Sequence, residues 1–215
     1  MGTVKLGDLR RLTPIDGRFG YGRGQPVDRH YIEQFLAAHA SDIYGTVLEV
    51  GDASYTRRFG GSRVIRSEVL SPQIREGVTL VGDLSSGEGL TSDTFDCAVI
   101  TQTLLLIYDV HAALTTLRRI LKSGGVLLLT VPGICQIARA DDERWGDFWR
   151  FTPRGTGRLV GDVFGADNTR VESRGNVLSA TAFLYGLAAH ELTPEELAHH
   201  DPDYPVTIAV RAEKR

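Results

Sequence analysis

FDCAVITQTLLLIYDVHAALTTLRRILKSGGVLLLTVPG, residues 95–133, carries in one piece the pattern on which the fold turns. It opens with a near-continuous apolar run, Phe95 to Thr101, and closes with another, Gly125 to Val131. Runs of this kind are strands covered on both faces, the mark of a parallel sheet. Between them, Val110 to Leu121 places apolar residues at helical steps. Lys122-Ser123-Gly124-Gly125 then ends that helix with a cation and glycine.

The same alternation extends outward. Strands are expected at 46–50, 63–70 and 78–83, and only about ten residues, rich in Ser, Gly, Thr and Asp, separate the last of these from Phe95. Upstream, residues 1 to 25 show no period, and Pro26 opens a helix in which Val27, Tyr31, Phe35 and Ala38 share a face. Downstream, the regularity stops at Pro132-Gly133 and resumes with a helix at Pro153–Phe164. A strand at 168–173, an apolar helix from Val177 to about His190 and a short helix at Thr193-Pro194-Glu195-Glu196 follow. An alternating strand spans 206–214. The reading is a single α/β domain over residues 1–215. It has a Rossmann-like, doubly wound, seven-stranded sheet, mostly parallel, with an antiparallel last strand.

Composition narrows the partners. Among 215 residues, 42% are apolar, 24% are charged and the net charge is -3, so neither nucleic acid nor an anionic membrane is expected. No run of about 18 to 20 apolar residues exists, and the N-terminus lacks the apolar core of a signal peptide, so the expected location is the cytoplasm. Cys97 and Cys135 lie in or near apolar strands and read as reduced, buried thiols, with no metal site.

The acidic residues of the strands point to a ligand. Glu49 precedes Gly51 in the first strand, Glu68 is placed at the end of the second, and Asp83 closes the third. A carboxylate about 20 residues past a glycine turn can accept from both hydroxyls of a ribose. One after the third strand can accept from an adenine amine. A pyrophosphate needs several glycines beneath it, and here Gly51 is followed by Asp52, Ala53 and Ser54. A phosphate-free adenosine-type ligand therefore fits better than NAD or ATP.

The ordered set VLEVG, RSEVL, GDL and residues 95–133 resembles the class I S-adenosylmethionine-dependent methyltransferases over about Gly45 to Gly133. The resemblance implies S-adenosylmethionine as cofactor. Glu49, Gly51 and Asp52 would shape the loop beside its methionine moiety, Glu68 would hold the ribose, and Asp83 and Leu84 would flank the adenine. Gln102 would line the pocket, and residues 20–36 would form a lid contacting through Tyr31.

The stretch DDERWGDFWRFTPRG, 141–155, crowds aromatic side chains and an arginine after the fifth strand. Aromatic faces and a guanidinium fork suit a sugar ring, so Trp145, Trp149 and Arg150 are the expected substrate contacts. A similar run occurs in methyltransferases of glycan and glycosylated natural-product pathways. The expected reaction is therefore O-methylation of a sugar or glycosylated natural product, with Asp147 the preferred base and His111 the second. N- or C-methylation, and a non-catalytic scaffold partnering a glycosyltransferase, are the rival readings. A small-molecule acceptor is the expected partner, with a homodimer as an open option.

Overall fold

The computed structural model describes residues 7–215. Its strands are β1 (Gly45–Val50), β2 (Val64–Ser71), β3 (Leu80–Val81), β4 (Phe95–Thr101), β5 (Leu121–Pro132), β6 (Thr169–Arg174) and β7 (Thr207–Glu213). They form one sheet in the order β3-β2-β1-β4-β5-β7-β6. Only β7 is reversed, pairing antiparallel with both β5 and β6. The expected fold is the one observed. Because the chain winds from β1 to one edge and then returns to β4, the carboxyl ends of these two strands form the switch point at which such sheets bind ligands.

Among the described residues the six α-helices are α1 (Val27–Ala38), α2 (Val110–Ile120), α3 (Arg139–Trp145), α4 (Pro153–Phe164), α5 (Val177–Tyr185) and α6 (Pro194–Ala198). Strand periodicity sends alternate residues to opposite faces. From β4, Ala98 and Ile100 pack with Leu114 and Leu117 of α2 and Val160 of α4. Cys97 and Val99 pack with Ile32, Phe35 and Leu36 of α1. Each fully buried Leu or Ile contributes about 1.5–3 kcal/mol, so both layers clamp the central strands and fix the level of their tips. A third apolar cluster joins Val27 and Tyr31 of α1 to Phe183, Leu197 and Val206.

Local differences from the sequence reading have local causes. The predicted six-residue third strand is only Leu80–Val81, because the chain turns at once, with the Asp83 carbonyl accepting from Gly87 N and the Asp83 N–H donating to Glu88. A short edge strand also limits unwanted pairing. Helix α5 stops at Tyr185, well before His190, because Gly186 is left-handed (φ 72°). Residues 139–145, read as irregular, form α3. Between β1 and β2 the chain makes only a short wide helical turn, through Thr56–Gly60, instead of a full crossover helix. An Arg58–Glu33 ion pair of 2.8 Å ties that turn to α1. Among the described residues, no helix is long and apolar enough to cross a membrane.

Candidate active site

The tip of β1 is shaped by Gly51. Its φ of 94° is one that side-chain-bearing residues rarely adopt, while the nearest atom to an added Cβ is Arg75 Nη2 at 3.8 Å, so backbone geometry and not crowding demands glycine. The Gly51 carbonyl accepts from Arg75 Nη2 at 3.0 Å. Buried Glu49 accepts from the N–H groups of Tyr55 and Thr56 at 3.2 and 2.7 Å, fixing the turn that follows. Burial pushes its carboxyl upward, against those hydrogen bonds. Asp52 accepts from Ser54 N at 2.7 Å. Burial works to raise its carboxyl, but Ser54, Arg57 and Arg29 together hold it below the usual range.

Glu68 requires a correction. It pairs with Leu48 inside the sheet, and β2 runs on to Ser71, three residues further. Its carboxylate is taken by Arg66 Nε at 2.5 Å and by the Thr79 hydroxyl. The residue at the β2 tip beside Gly51 is Ser71; the hydrogen bond from Gly51 N to Leu70 O sets that level. Glu68 thus ties β2 to the approach to β3, away from a ribose position at the strand end. Asp83 does lie past β3 and is exposed, its carboxylate accepting from Ser85 N and Oγ at 2.6 Å. Those Ser85 hydrogen bonds hold it below the usual carboxylate range. Leu84 is buried in the core beside Leu90 and Leu114 rather than turned to a ligand.

Gln102, just past β4, has φ 46° and donates its N–H to Thr130 O at 2.9 Å. A glutamine in that region costs about 1–3 kcal/mol and marks a constrained site. It lines a crevice of about 200 Å³ with Leu105, Pro132, Asp141, Asp28 and Arg29. Phe19, Tyr21, Cys135 and Phe183 complete its aromatic and apolar walls. Gln102 is the one residue of the expected cofactor set in this lining. Tyr31 is turned elsewhere: its ring is buried beside Val27 and Phe183, and its hydroxyl donates to Leu197 O at 3.0 Å.

The lid reaches the crevice through Tyr21 and through two charged residues that sequence reading passed over. Asp28 is 8% exposed, and burial pushes its carboxyl up, against the opposing pull of Arg29. The buried Arg29 Nε approaches the Asp28 carboxylate at 3.8 Å, an ion pair without a hydrogen bond. Burial works against its charge, yet Asp28, Tyr21 and Tyr55 leave it raised. The available signal was an adjacent acid and base in the first turn of the lid helix.

The lid is held down from the C-terminal third. Ile15 and Asp16 donate their N–H groups to Tyr185 O at 2.8 and 3.2 Å, and Gln136 Nε2 donates to Gly17 O at 3.0 Å. Arg23 pairs with Glu191. Phe19 packs on Phe183 at 5.9 Å between ring centroids.

Neither expected base has the setting of one. Asp147 is wholly covered, and its carboxylate accepts from Arg150 Nη1 and Nη2 at 2.5 and 3.0 Å and from Ala138 N at 3.0 Å. These bonds outweigh burial and hold it below the usual range. Arg150 in turn donates to the carbonyls of Cys135 and Gln136. The pair staples the loop after β5 and leaves Arg150 no free edge for a substrate. His111 is exposed on α2 and lines an outer groove with Thr115, Arg118 and Asp162, not the crevice. Trp145 is half-buried under the Arg144 guanidinium, 6.0 Å from the ring. Trp149 is 38% exposed, its Nε1 donating to Ile107 O at 3.2 Å.

A doubly wound sheet with a lid over a polar crevice at the β4 and β5 tips is the architecture of an α/β enzyme that binds a nucleoside-type ligand. Residues 19–129 match the family model described as methyltransferase domain. The chain belongs to that family, and is a class I S-adenosylmethionine-dependent methyltransferase. No curated protein matches it in sequence. Similar solved structures include a SAM-dependent methyltransferase from Archaeoglobus fulgidus, 11% identical over 86% of this chain and 94% of that one, with TM-score 0.57. The N-methyltransferase NodS from Bradyrhizobium japonicum WM9, in complex with S-adenosyl-L-homocysteine, is 14% identical over 94% of each chain, with TM-score 0.54. The [4+2]-cyclase SpnF is 16% identical over 90% of this chain and 84% of that one, also with TM-score 0.54. At these identities the likeness is one of fold.

The donor set fits the cofactor. Arg29 offers a guanidinium to a carboxylate, Gly51 leaves bare backbone at the β1 tip, and exposed Asp83 stands past β3 as an acceptor.

Proposed function

We propose that the chain transfers a methyl group from S-adenosylmethionine to an oxygen of a sugar or glycosylated small natural product. The observation that supports this most is the crevice itself, where Asp28, Arg29, Gln102 and Asp141 meet the aromatic rings of Phe19, Tyr21 and Phe183. Polar groups among aromatic faces suit a polyhydroxylated ring.

Arg29 holds the carboxylate of the cofactor, and Asp83 accepts from its adenine amine. The bound cofactor supplies a methyl group already activated on a sulfonium. What remains for the protein is alignment, exclusion of water and proton removal. The lid and the wall from Leu105 to Pro132 exclude water. Asp28 takes the place that sequence reading gave to Asp147. A buried carboxyl pushed upward holds a proton nearer neutral pH, as a general base requires.

A panel of glycosides incubated with labelled S-adenosylmethionine tests the reading. Label is expected in a methyl ether, and Asp28→Asn is expected to lower kcat about 100-fold and to remove the acid limb of its pH profile. Transfer to nitrogen or carbon alone, or none with any glycoside, would overturn it. The two acids Asp28 and Asp141 in the lining favour a second acceptor, an amine that arrives as its cation and gives its proton to Asp28 before the freed lone pair takes the methyl group, and the methylated atom decides between them.

A further inference from the structure

Three aromatic rings stand exposed beside the crevice, and the methyl-transfer chemistry uses none of them. Tyr108 is 70% exposed, Phe148 47% and Trp149 38%. Tyr108 meets Phe148 edge-on at 5.5 Å and lies over Trp149 at 5.8 Å with an interplanar angle of 31°.

The rings are fixed, not loose. Phe148 N donates to Leu105 O at 2.8 Å, and Trp149 Nε1 donates to the carbonyls of Ile107 and Tyr108 at 3.2 and 3.3 Å. Gly146, with φ 90°, lets the Phe148 ring fold back against the backbone, since any Cβ there would run into that ring. Leu105, which anchors Phe148, is itself a crevice wall. The platform is therefore joined to the crevice wall through Leu105.

The size of the crevice gives the platform a purpose. About 200 Å³ is less than the roughly 300–1,000 Å³ of ordinary ligand sites. It admits the reacting end of an acceptor and leaves the rest outside. We propose that Tyr108, Phe148 and Trp149 form a stacking subsite for a second ring of the acceptor, so that the preferred substrate is a glycoside of at least two rings. A pyranose presents an apolar C–H face to aromatic rings, and a rigid exposed platform pays little ordering entropy to receive it. The proposal rests on the reading that the crevice is where the acceptor reacts.

Tryptophan fluorescence tests it, because the chain has two tryptophans and Trp145→Phe leaves Trp149 as the sole reporter. The probes are gluco-, manno- and galacto-configured mono- and tetrasaccharides, with S-adenosylhomocysteine titrated calorimetrically on the same samples. At least one tetrasaccharide is expected to shift Trp149 emission saturably, and its monosaccharide about tenfold more weakly. Tyr108→Ala is expected to weaken the tetrasaccharide about tenfold and leave S-adenosylhomocysteine affinity unchanged. Saturable binding that is equal in Tyr108→Ala, or no response to any probe while S-adenosylhomocysteine binds, overturns the subsite. Binding of a hydrophobic dye at Trp149 without any saccharide response overturns it too, and marks a protein-facing patch. Failure of S-adenosylhomocysteine to bind overturns the underlying reading, and a saccharide response in that case still upholds the platform.

Discussion

Arg29→Met is the sharpest test of the cofactor site. The guanidinium sits in the first turn of α1, a quarter exposed, with its buried Nε 3.8 Å from Asp28 and without a hydrogen bond. If it receives the carboxylate of the cofactor, the contact is a charge-assisted hydrogen bond worth about 2 kcal/mol, or about 30-fold in Kd. Two ligands isolate that contact. S-adenosylhomocysteine carries the amino acid, and 5′-methylthioadenosine lacks it. Calorimetry should show the variant losing about 30-fold for the first and less than twofold for the second. Met keeps the apolar stem, and thermal unfolding checks that the fold survives removal of the partner of Asp28. Equal losses for both ligands would show that Arg29 merely supports the lid, and an unchanged affinity for both would remove it from the site.

Other outcomes follow from individual contacts. Asp147→Ala leaves Arg150 without its partner under the loop after β5, so stability should fall by about 3 kcal/mol, read by denaturant unfolding; a pure loss of rate at full stability would restore Asp147 as a base. Gln102→Gly should relieve a left-handed glutamine and stabilise the fold by about 1 kcal/mol while lowering kcat, and a drop in melting temperature would contradict the strain. Glu191 is drawn from 4.5 to about 2 by the hydrogen bond from Arg23. Its contribution is therefore complete above its ordinary value and fades as pH falls toward about 2; protease cleavage near residues 15–24 should rise over that window in the wild type and not in Glu191→Gln. Burial pushes the Cys135 thiol up to about 12, so labelling by a disulfide reagent at pH 8 should be slow in the native protein and fast in urea.

The sheet was legible because apolar runs and helix stops are local. Phe95–Thr101 and Pro153–Phe164 were placed to the residue, since each is bounded by its own turn chemistry. Site geometry was less legible because it depends on register. Glu68 and Ser71 are three residues apart, and only the pairing of β2 with β1 shows which one reaches the strand tip. Asp147 looked free in the sequence, but its partners Arg150 and Ala138 are brought to it by a loop without period. Arg29 looked like an ordinary helix charge. Only the folding of α1 over the β1 turn, through Arg58 and Glu33, places it at the crevice.

The roof of the crevice is built from residues 15–29, yet it is fastened to Tyr185 and Glu191. Gly186 leaves no space for a side chain against the Asp16 carbonyl, so the two segments meet backbone to backbone. During synthesis, a ribosome must therefore release the chain past Glu191 before this clasp can form. β1, β2, β4 and β5 can pair well before then, and the nascent enzyme remains unroofed until Tyr185 and Glu191 emerge.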